Sequence, residues 1–471
     1  MSRLVHALVI PYPLESHCSA MADLCIKLAS RGITITFVYT EGLCRCKAYI
    51  TDIAQKTGLD IRSQEVSDGL PSDFDRSLYN ESFLQCVLNS MIEPVEEVIL
   101  SVNREDHPIS CIVADSFLPW ALLIAKKLSV PLVTLWTQST VLYSIYYHSD
   151  MLINNGHFPS KGRGTNDCID YIPGVPTMKQ RDLPSFLQAT QMSDFMLHAI
   201  FLSLQSVREA DWVLANSVYE LETEPIQYSL HSATPLCSVG PLLPSGYFNN
   251  HPPLEFDFSM WLDSKPANSV IYISFGASAR VSKAQIEEIA IGLLQSKISF
   301  IWMLPPQTMC SNGSLIEILP HGYLEKIEDN GIGLVIPKWS DHLHYTVLSH
   351  HSIGGFVSHC DWNSVLQSLC MGVPLLGFPL YADQYTNCKL VSDEMDIALK
   401  VEHGGVNGAL VERMEIAKKV KALIRGKEGR KARKKIKRLK RVARKAAIQG
   451  GSSDKNFDNF VEELICKVMH G

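Results

Sequence analysis

The sequence predicts an α/β protein made of two doubly wound, mainly parallel sheets. Two observations carry this expectation. Short apolar strands alternate with helix-patterned segments along most of the chain, and such alternation calls for crossover connections and parallel pairing. In addition, 471 residues exceed what one ordinary core organises, so two domains are expected. With 46% hydrophobic and 20% charged residues, the chain belongs with folded globular proteins rather than disordered or fibrous ones.

LVHALVIPYP reads as a buried strand, MADLCIKLASRG as a helix with a glycine stop, and ITITFVYT as a second strand. This β-α-β start places ligands at the carboxyl ends of its strands. The first such edge is expected to be a loop, PLESHCSAM, carrying Ser16 and His17. SCIVADSFLPWALLIAKKLSVP then reads as strand, loop and helix. Asp115 closes its apolar run, where either it or Ser116 would also serve as a plain helix cap. PLVTLWTQS is the next strand, running up to Thr137. Residues 154–170 form a polar, glycine-rich loop, and an amphipathic helix is expected from about Ser193 to Ala210. The stretch from Val239 to Asp257, rich in Pro, Gly and Asn, reads as an interdomain linker.

Beyond it, SVIYISFG is a strand, and Ser282 with Gln285 signals a capped helix continuing through Ile286, Ile289, Ala290 and Leu293. FIWMLP and GIGLVIP are further strands. The stretch from Trp339 to Gln384 organises this half. GGFVSH and VPLLGFP are strands on either side of the helix-spaced NSVLQSLC. A strand ending in His359 where a helix starts at Asn363 and Ser364 is suited to an anion, because free N–H groups and the positive end of the helix dipole meet there. Ser364 and Gln367 lie one turn apart on one face. Trp339 offers a flat ring for stacking a base, and Asp383 and Gln384 open the next helix.

Several function classes are disfavoured. A net charge of −6 gives no overall pull toward nucleic acid or anionic membrane. RGKEGRKARKKIKRLKRVARKAA is basic, but it reads as a solvated helix with Ile436, Leu439 and Val442 turned inward. There is no G-x-G-x-x-G for a nicotinamide cofactor and no G-x-S-x-G elbow to make His17, Asp115 and Ser116 a hydrolase. The 13 cysteines are scattered, without a C-x-x-C pair, as expected of reduced thiols in a cytoplasmic protein. The first apolar run is too short for a signal peptide, and no run approaches the roughly 18 apolar residues of a membrane span. Asp341, His342, His344, His350, His351 and His359 are dense in sequence but lack zinc-site spacing, so no metal is expected.

Trp339, His359-Cys360, Trp362-Asn363-Ser364, Gly372-Val373-Pro374 and Asp383-Gln384, in that order, resemble the donor-binding signature of plant-type UDP-dependent glycosyltransferases. The resemblance covers nearly the whole chain and implies two facing Rossmann-like domains, the GT-B architecture. It implies an acceptor domain over residues 1–240, a linker over 241–257, a nucleotide-sugar domain over 258–451 and a final helix over 452–471 that crosses back. It further implies inverting transfer of a sugar, glucose by the presence of Gln384, from a UDP-sugar to a small lipophilic hydroxyl compound of plant secondary metabolism. His17 would be the general base and Asp115 its partner. Thr137, Ala277, Ser278, Trp339, His359, Trp362, Asn363, Ser364, Gln367, Asp383 and Gln384 would contact the donor. A monomer without nucleic-acid partner, cofactor or metal is implied.

The departures from the pattern fall on ligand positions. Asp361 replaces a glycine, Gln367 a ribose-binding Glu, Ala277 a hydroxyl residue, and Ser16 a glycine before the base. The box is two residues longer than the pattern, so either His342 or His344 stands where a uracil-facing Gln is expected. A fold-retaining but non-catalytic or donor-impaired relative is the alternative expectation.

Overall fold

The structure, a computed structural model, describes residues 5–71, 74, 76, 81–105, 107–159, 167–188, 195–232, 234–244, 247, 258–276, 280–304, 315–337, 341–402 and 410–470. The first half supplies β1 (His6–Ile10), β2 (Thr34–Tyr39), β3 (Ile61–Glu65), β4 (Cys111–Asp115), β5 (Leu132–Trp136), β6 (Cys168–Ile169), β7 (Met178–Lys179), β8 (Trp212–Ala215) and β9 (Leu236–Ser238). Among the described residues seven of these form one parallel sheet in the order β3-β2-β1-β4-β5-β8-β9. The remaining two, β6 and β7, pair as an antiparallel ribbon, which the polar composition around them does not announce.

The second half supplies β10 (Val270–Ser274), β11 (Ser299–Met303), β12 (Gly333–Ile336), β13 (Ile353–Ser358), β14 (Leu375–Gly377) and β15 (Ala398–Lys400). They too are parallel, in the order β12-β11-β10-β13-β14-β15. The central strands β1, β4, β5, β10 and β13 are buried at every position. Their near-continuous apolar runs are therefore those of sheets covered on both faces, not of half-solvated ones. Each sheet reverses its strand order once, between β1 and β4 and between β10 and β13. A ligand crevice belongs at each reversal.

Helix α1 (Glu15–Ala29) follows β1 directly, so the expected loop PLESHCSAM is helical from its third residue and His17 lies in the first turn. The apolar spacing of Cys18, Met21, Cys25 and Leu28, all buried, carries the helix upstream of the segment that composition marks. Helix α2 (Lys283–Ser296) starts as expected, with Ser282 Oγ accepting from Gln285 N at 3.2 Å. The Gln285 side chain instead pairs with the backbone of Val411, so only half of the capping box forms. Helix α3 (Trp362–Met371) connects β13 to β14 and stops at Gly372, whose φ of 75° suits a residue without Cβ.

The basic helix α4 (Lys427–Ala447) buries Ile436, Leu439 and Ala443. Arg433 donates to the carbonyls of Gly354, Leu423 and Ile424, and Lys440 to that of Met371. Part of its charge thus satisfies helix carboxyl ends. The last helix, α5 (Ser452–His470), returns to the first sheet. Phe457, Phe460, Val461 and Leu464 join the cluster containing Ala7, Val9, Ile35 and Phe37, at about 1.5–3 kcal/mol of hydrophobic stabilisation each as an upper bound. Arg31 fixes its register through Asp454 and Asp458. Another cluster runs from Trp136 and Leu142 in the first half to Tyr272, Phe356 and Trp362 in the second, so the halves share packed apolar surface. No helix among the described residues is long and apolar enough to cross a membrane.

Candidate active site between the two sheets

The two strand-order reversals face one another across a cleft. The first contributes His17 and Phe117, and the second Gly276, His359 and Asp361. Asp115 ends β4 and is 1% exposed. Its Oδ2 accepts from His17 Nδ1 at 2.8 Å, and its Oδ1 accepts from Phe117 N at 2.9 Å. A carboxylate is acceptor-only when ionised, so this contact places the imidazole proton on Nδ1 and leaves the Nε2 lone pair as the basic site. Burial works against a charged imidazole here, but the charge and hydrogen bond of Asp115 outweigh it and hold the His17 pKa above its ordinary value. Asp361 and Asp383 add to the same effect.

Thr137 Oγ1 lies 3.0 Å from His17 Nδ1 and is 4% exposed. It therefore braces the imidazole from its Nδ1 side and is not among the residues that line the cleft. Ser16 is helical and needs no positive φ, which removes the strain a non-glycine residue there would otherwise carry. Phe117 packs edge-on to the His17 ring at 5.8 Å, and Tyr12 packs against it, tilted by 45°, at 5.3 Å.

On the other lip, Cys360 adopts φ 67° between β13 and α3 and turns His359 toward the cleft. The imidazole lies close to Gly276, where a Cβ would sit 3.3 Å from its Cε1. His359 Nδ1 is buried and makes no hydrogen bond among the described residues. Burial lowers the pKa of His359, with Asp361 opposing. Asp361, at φ −54°, needs no glycine and caps α3 by accepting from Asn363 N at 3.0 Å. Its carboxylate thus occupies the helix end that sequence reading assigned to a phosphate.

Asn363 does not wait for a ligand either. Its Nδ2 donates to Ser16 O at 2.5 Å, and its Oδ1 accepts from Asn216 Nδ2 at 3.2 Å, so it ties the lips together. Trp362 leaves the expected donor set. It is 1% exposed, and its indole donates to Asn216 O at 2.8 Å in the seam between the halves. Asn363, Ser364, Gln367, Asp383 and Gln384 all line the cleft. Gln384 Oε1 accepts from Leu380 N and Tyr381 N at 2.8 and 3.0 Å, which holds the amide in place.

Asp383 Oδ2 accepts from Asn387 Nδ2 at 2.6 Å, and Asn387 Oδ1 accepts from Ser139 of the other half at 2.9 Å. Burial, then the nearby Asp361 charge, push the Asp383 pKa up to about 7. Asn387 was missed by sequence reading, although its position four residues after Asp383 on one helix is a usable signal.

His344 sits behind the cleft, 2% exposed, with Tyr272 OH 2.7 Å from its Nδ1. Burial, followed by the neighbouring His359, drives its pKa down to about 3, against a hydrogen bond to Gln367. It is a neutral core residue braced against the second sheet, not a group facing a base. The side chain of His342, and Trp339, Ala277 and Ser278 entirely, lie outside the described residues. The dense histidines separate: His344 and His359 are interior, whereas His350 and His351 meet Asp263 at the surface.

The family description "UDP-glucoronosyl and UDP-glucosyl transferase" matches residues 8–444. UDP-glycosyltransferase 86A2 of Arabidopsis thaliana is 37% identical, over 98% of this chain and 95% of its own. Cinnamate beta-D-glucosyltransferase of Fragaria ananassa is 31% identical, over 98% of this chain and 83% of its own. Among solved structures, a UDP-glucosyltransferase from Polygonum tinctorium capable of glucosylating indoxyl, in complex with 3,4-dichloroaniline, superposes with a TM-score of 0.82 at 26% identity over the full length of both chains. With two parallel sheets meeting at their reversal points and near-complete coverage by relatives, the chain belongs to the UDP-glucoronosyl and UDP-glucosyl transferase family.

Proposed function

We propose that the protein transfers glucose from UDP-glucose, with inversion, to a hydroxyl group of a small lipophilic acceptor. His17 Nε2 removes the acceptor's proton as its oxygen bonds to the anomeric carbon, and the bond from that carbon to UDP breaks with its electrons leaving on the diphosphate. Asp115 is a positioning residue. It fixes the tautomer and balances the imidazolium. His359, Ser364, Gln367, Asp383 and Gln384 face the donor, with Trp339, His342, Ala277 and Ser278 assigned to it by resemblance. The observation that carries this reading is the 2.8 Å His17–Asp115 contact at one reversal point, opposite His359 at the other. No metal is required, and the protein acts as a cytoplasmic monomer in plant secondary metabolism.

A second reading is favoured by one observation: Asp361 caps the helix end that a diphosphate would use. In that reading the protein keeps the fold but binds its donor weakly. Calorimetry with UDP and UDP-glucose decides between them. Micromolar binding supports the enzyme, and absence of binding at millimolar ligand supports the impaired relative.

A further inference from the structure

Away from the cleft, the amino-terminal edge of the second sheet gathers a separate set of groups. Asp263 ends the helix Ser259–Asp263, and His350 and His351 lie in the turn between the helix Asp341–Ser349 and β13. Each residue offers one ligand atom, and the three atoms all lie within 4.8 Å of one another. A tetrahedral ion with bonds of about 2.1 Å needs its ligands about 3.4 Å apart. Asp263 and His351 are exposed, so rotation of their side chains can close that gap without moving the backbone.

His350 is already oriented. Its Nε2 faces Asp263 Oδ1 at 3.0 Å, and its Nδ1 lies 2.8 Å from the hydroxyl of the fully buried Ser352. Ser352 N also donates to Nδ1 at 3.2 Å, so in the metal-free protein the imidazole proton sits on Nε2 and bridges to the carboxylate. An ion would take that proton's place. The ring would keep its orientation by donating from Nδ1 to Ser352 Oγ, the kind of outer partner that ligating histidines ordinarily have. The His351 ring packs on that of His350, with centroids 4.5 Å apart. The turn is pinned, since Asn268 N donates to His351 O at 3.0 Å and Ser269 N to Ser352 O at 2.9 Å. Lys265, two residues after Asp263, is engaged by Gly331 O at 2.9 Å and by the Trp261 ring at 4.6 Å. Among the described residues His350 is therefore the ion-pair partner of Asp263.

We propose that Asp263, His350 and His351 form a binding site for a divalent transition-metal ion of the zinc type, with water completing its shell. Two imidazoles and a carboxylate suit Zn²⁺ better than Mg²⁺ or Ca²⁺, which take oxygen ligands. The site is structural and independent of the transfer reaction. The six residues of β13, about 20 Å of strand, separate it from His359. The ion fastens the first described helix after the linker to the second sheet. Spacing within the histidine-rich stretch hides the site, because Asp263 lies 87 residues before His350.

The test uses the full chain, freed of any affinity tag and stripped of metal by chelation, titrated with Zn²⁺ by calorimetry at neutral pH. One ion per chain is expected, at roughly micromolar affinity, and the unfolding temperature should rise with bound Zn²⁺. His351→Ala and Asp263→Asn, both at exposed positions outside the cleft, should each weaken binding by about ten-fold or more and cancel the rise. No binding at about 100 µM Zn²⁺ overturns the proposal. So does Mg²⁺ bound in preference to Zn²⁺. Zn²⁺ affinity unchanged in either variant would mark an adventitious ion only, and overturns it too.

Discussion

The two lips of the cleft are built to the same plan and finished differently. At the β1/β4 reversal, His17, Asp115, Thr137 and the amide of Phe117 satisfy one another, and the result is a positioned imidazole, the base of the proposed reaction. At the β10/β13 reversal, the polar groups satisfy one another as well, but the result is a filled anion site, with Asp361 on the N–H of Asn363 and the Asn363 side chain bound across the cleft. A base is completed by an internal carboxylate, because the pairing raises its basicity and leaves the reacting nitrogen open. An anion site is obstructed by one, because the carboxylate takes the donors the ligand needs. The same device, a carboxylate bonded within the chain, therefore has opposite consequences on the two lips.

The sharpest way to break the comparison is to remove the base alone. His17→Ala should lower kcat/KM by about 10²–10⁴-fold while UDP binding by calorimetry stays unchanged. An equal loss of donor affinity would show that the lips are not separable. Asp115→Asn should cost less, on the order of 10²-fold, and should also move the pH profile. In the proposed reaction the base works deprotonated, so the rate should rise as pH passes up through the His17 pKa. Asp115 holds that pKa above its ordinary value against burial. Without its charge burial dominates, the pKa falls, and the rising limb of kcat/KM shifts to lower pH. A limb that stays in place would mean Asp115 does not set the charge of the base.

The comparison is sharpened on the other lip by Asp361→Gly. A carboxylate about 5 Å from a phosphate charge repels it by roughly 3 kcal/mol at an effective dielectric near 20, so donor affinity should rise by up to about 10²-fold. Replacing the cap by glycine should cost only about a few tenths of a kcal/mol of stability, measured by urea unfolding. Adding Gln367→Glu restores a charged acceptor for the donor, worth roughly 1 kcal/mol more. Unchanged UDP affinity in the double variant would locate the obstruction elsewhere.

Much of this was legible in the sequence. Apolar runs such as HALVI and IGGFVS fix their own pairing because both faces are buried, and reversal points follow from strand–helix alternation. His17, Asp115, His359, Ser364 and Asp383 were legible because strand ends are where a parallel sheet must hold ligands. What sequence could not show is which polar side chain is already occupied. Trp362 and Asn363 sit at ligand positions of the pattern, yet Asn216, 146 residues earlier, receives the indole and reaches the amide. His344 was one of two candidates, with His342, for the uracil-facing position, because spacing alone cannot show that its partner is Tyr272 of a strand. The ribbon β6–β7 was hidden by its brevity, two residues per strand.

The smallest expected effect falls at Ser16, where the family pattern has glycine. A glycine precedes the base in the family pattern, so Ser16→Gly is the natural reversion, and if position 16 required a left-handed backbone it would raise activity. Ser16 instead lies in the first turn of α1, in a conformation any residue adopts. Glycine would add backbone freedom to the unfolded chain and cost at most about 0.5 kcal/mol. Among the described residues, the hydrogen bond Ser16 makes across the cleft, from Asn363 Nδ2, uses its carbonyl, which glycine keeps. Turnover and UDP affinity should therefore stay within about two-fold of the parent, and unfolding should begin at slightly lower urea. A several-fold gain in either would mean that the side chain at position 16, and not the carboxylate at 361, is what separates this cleft from a fully open one.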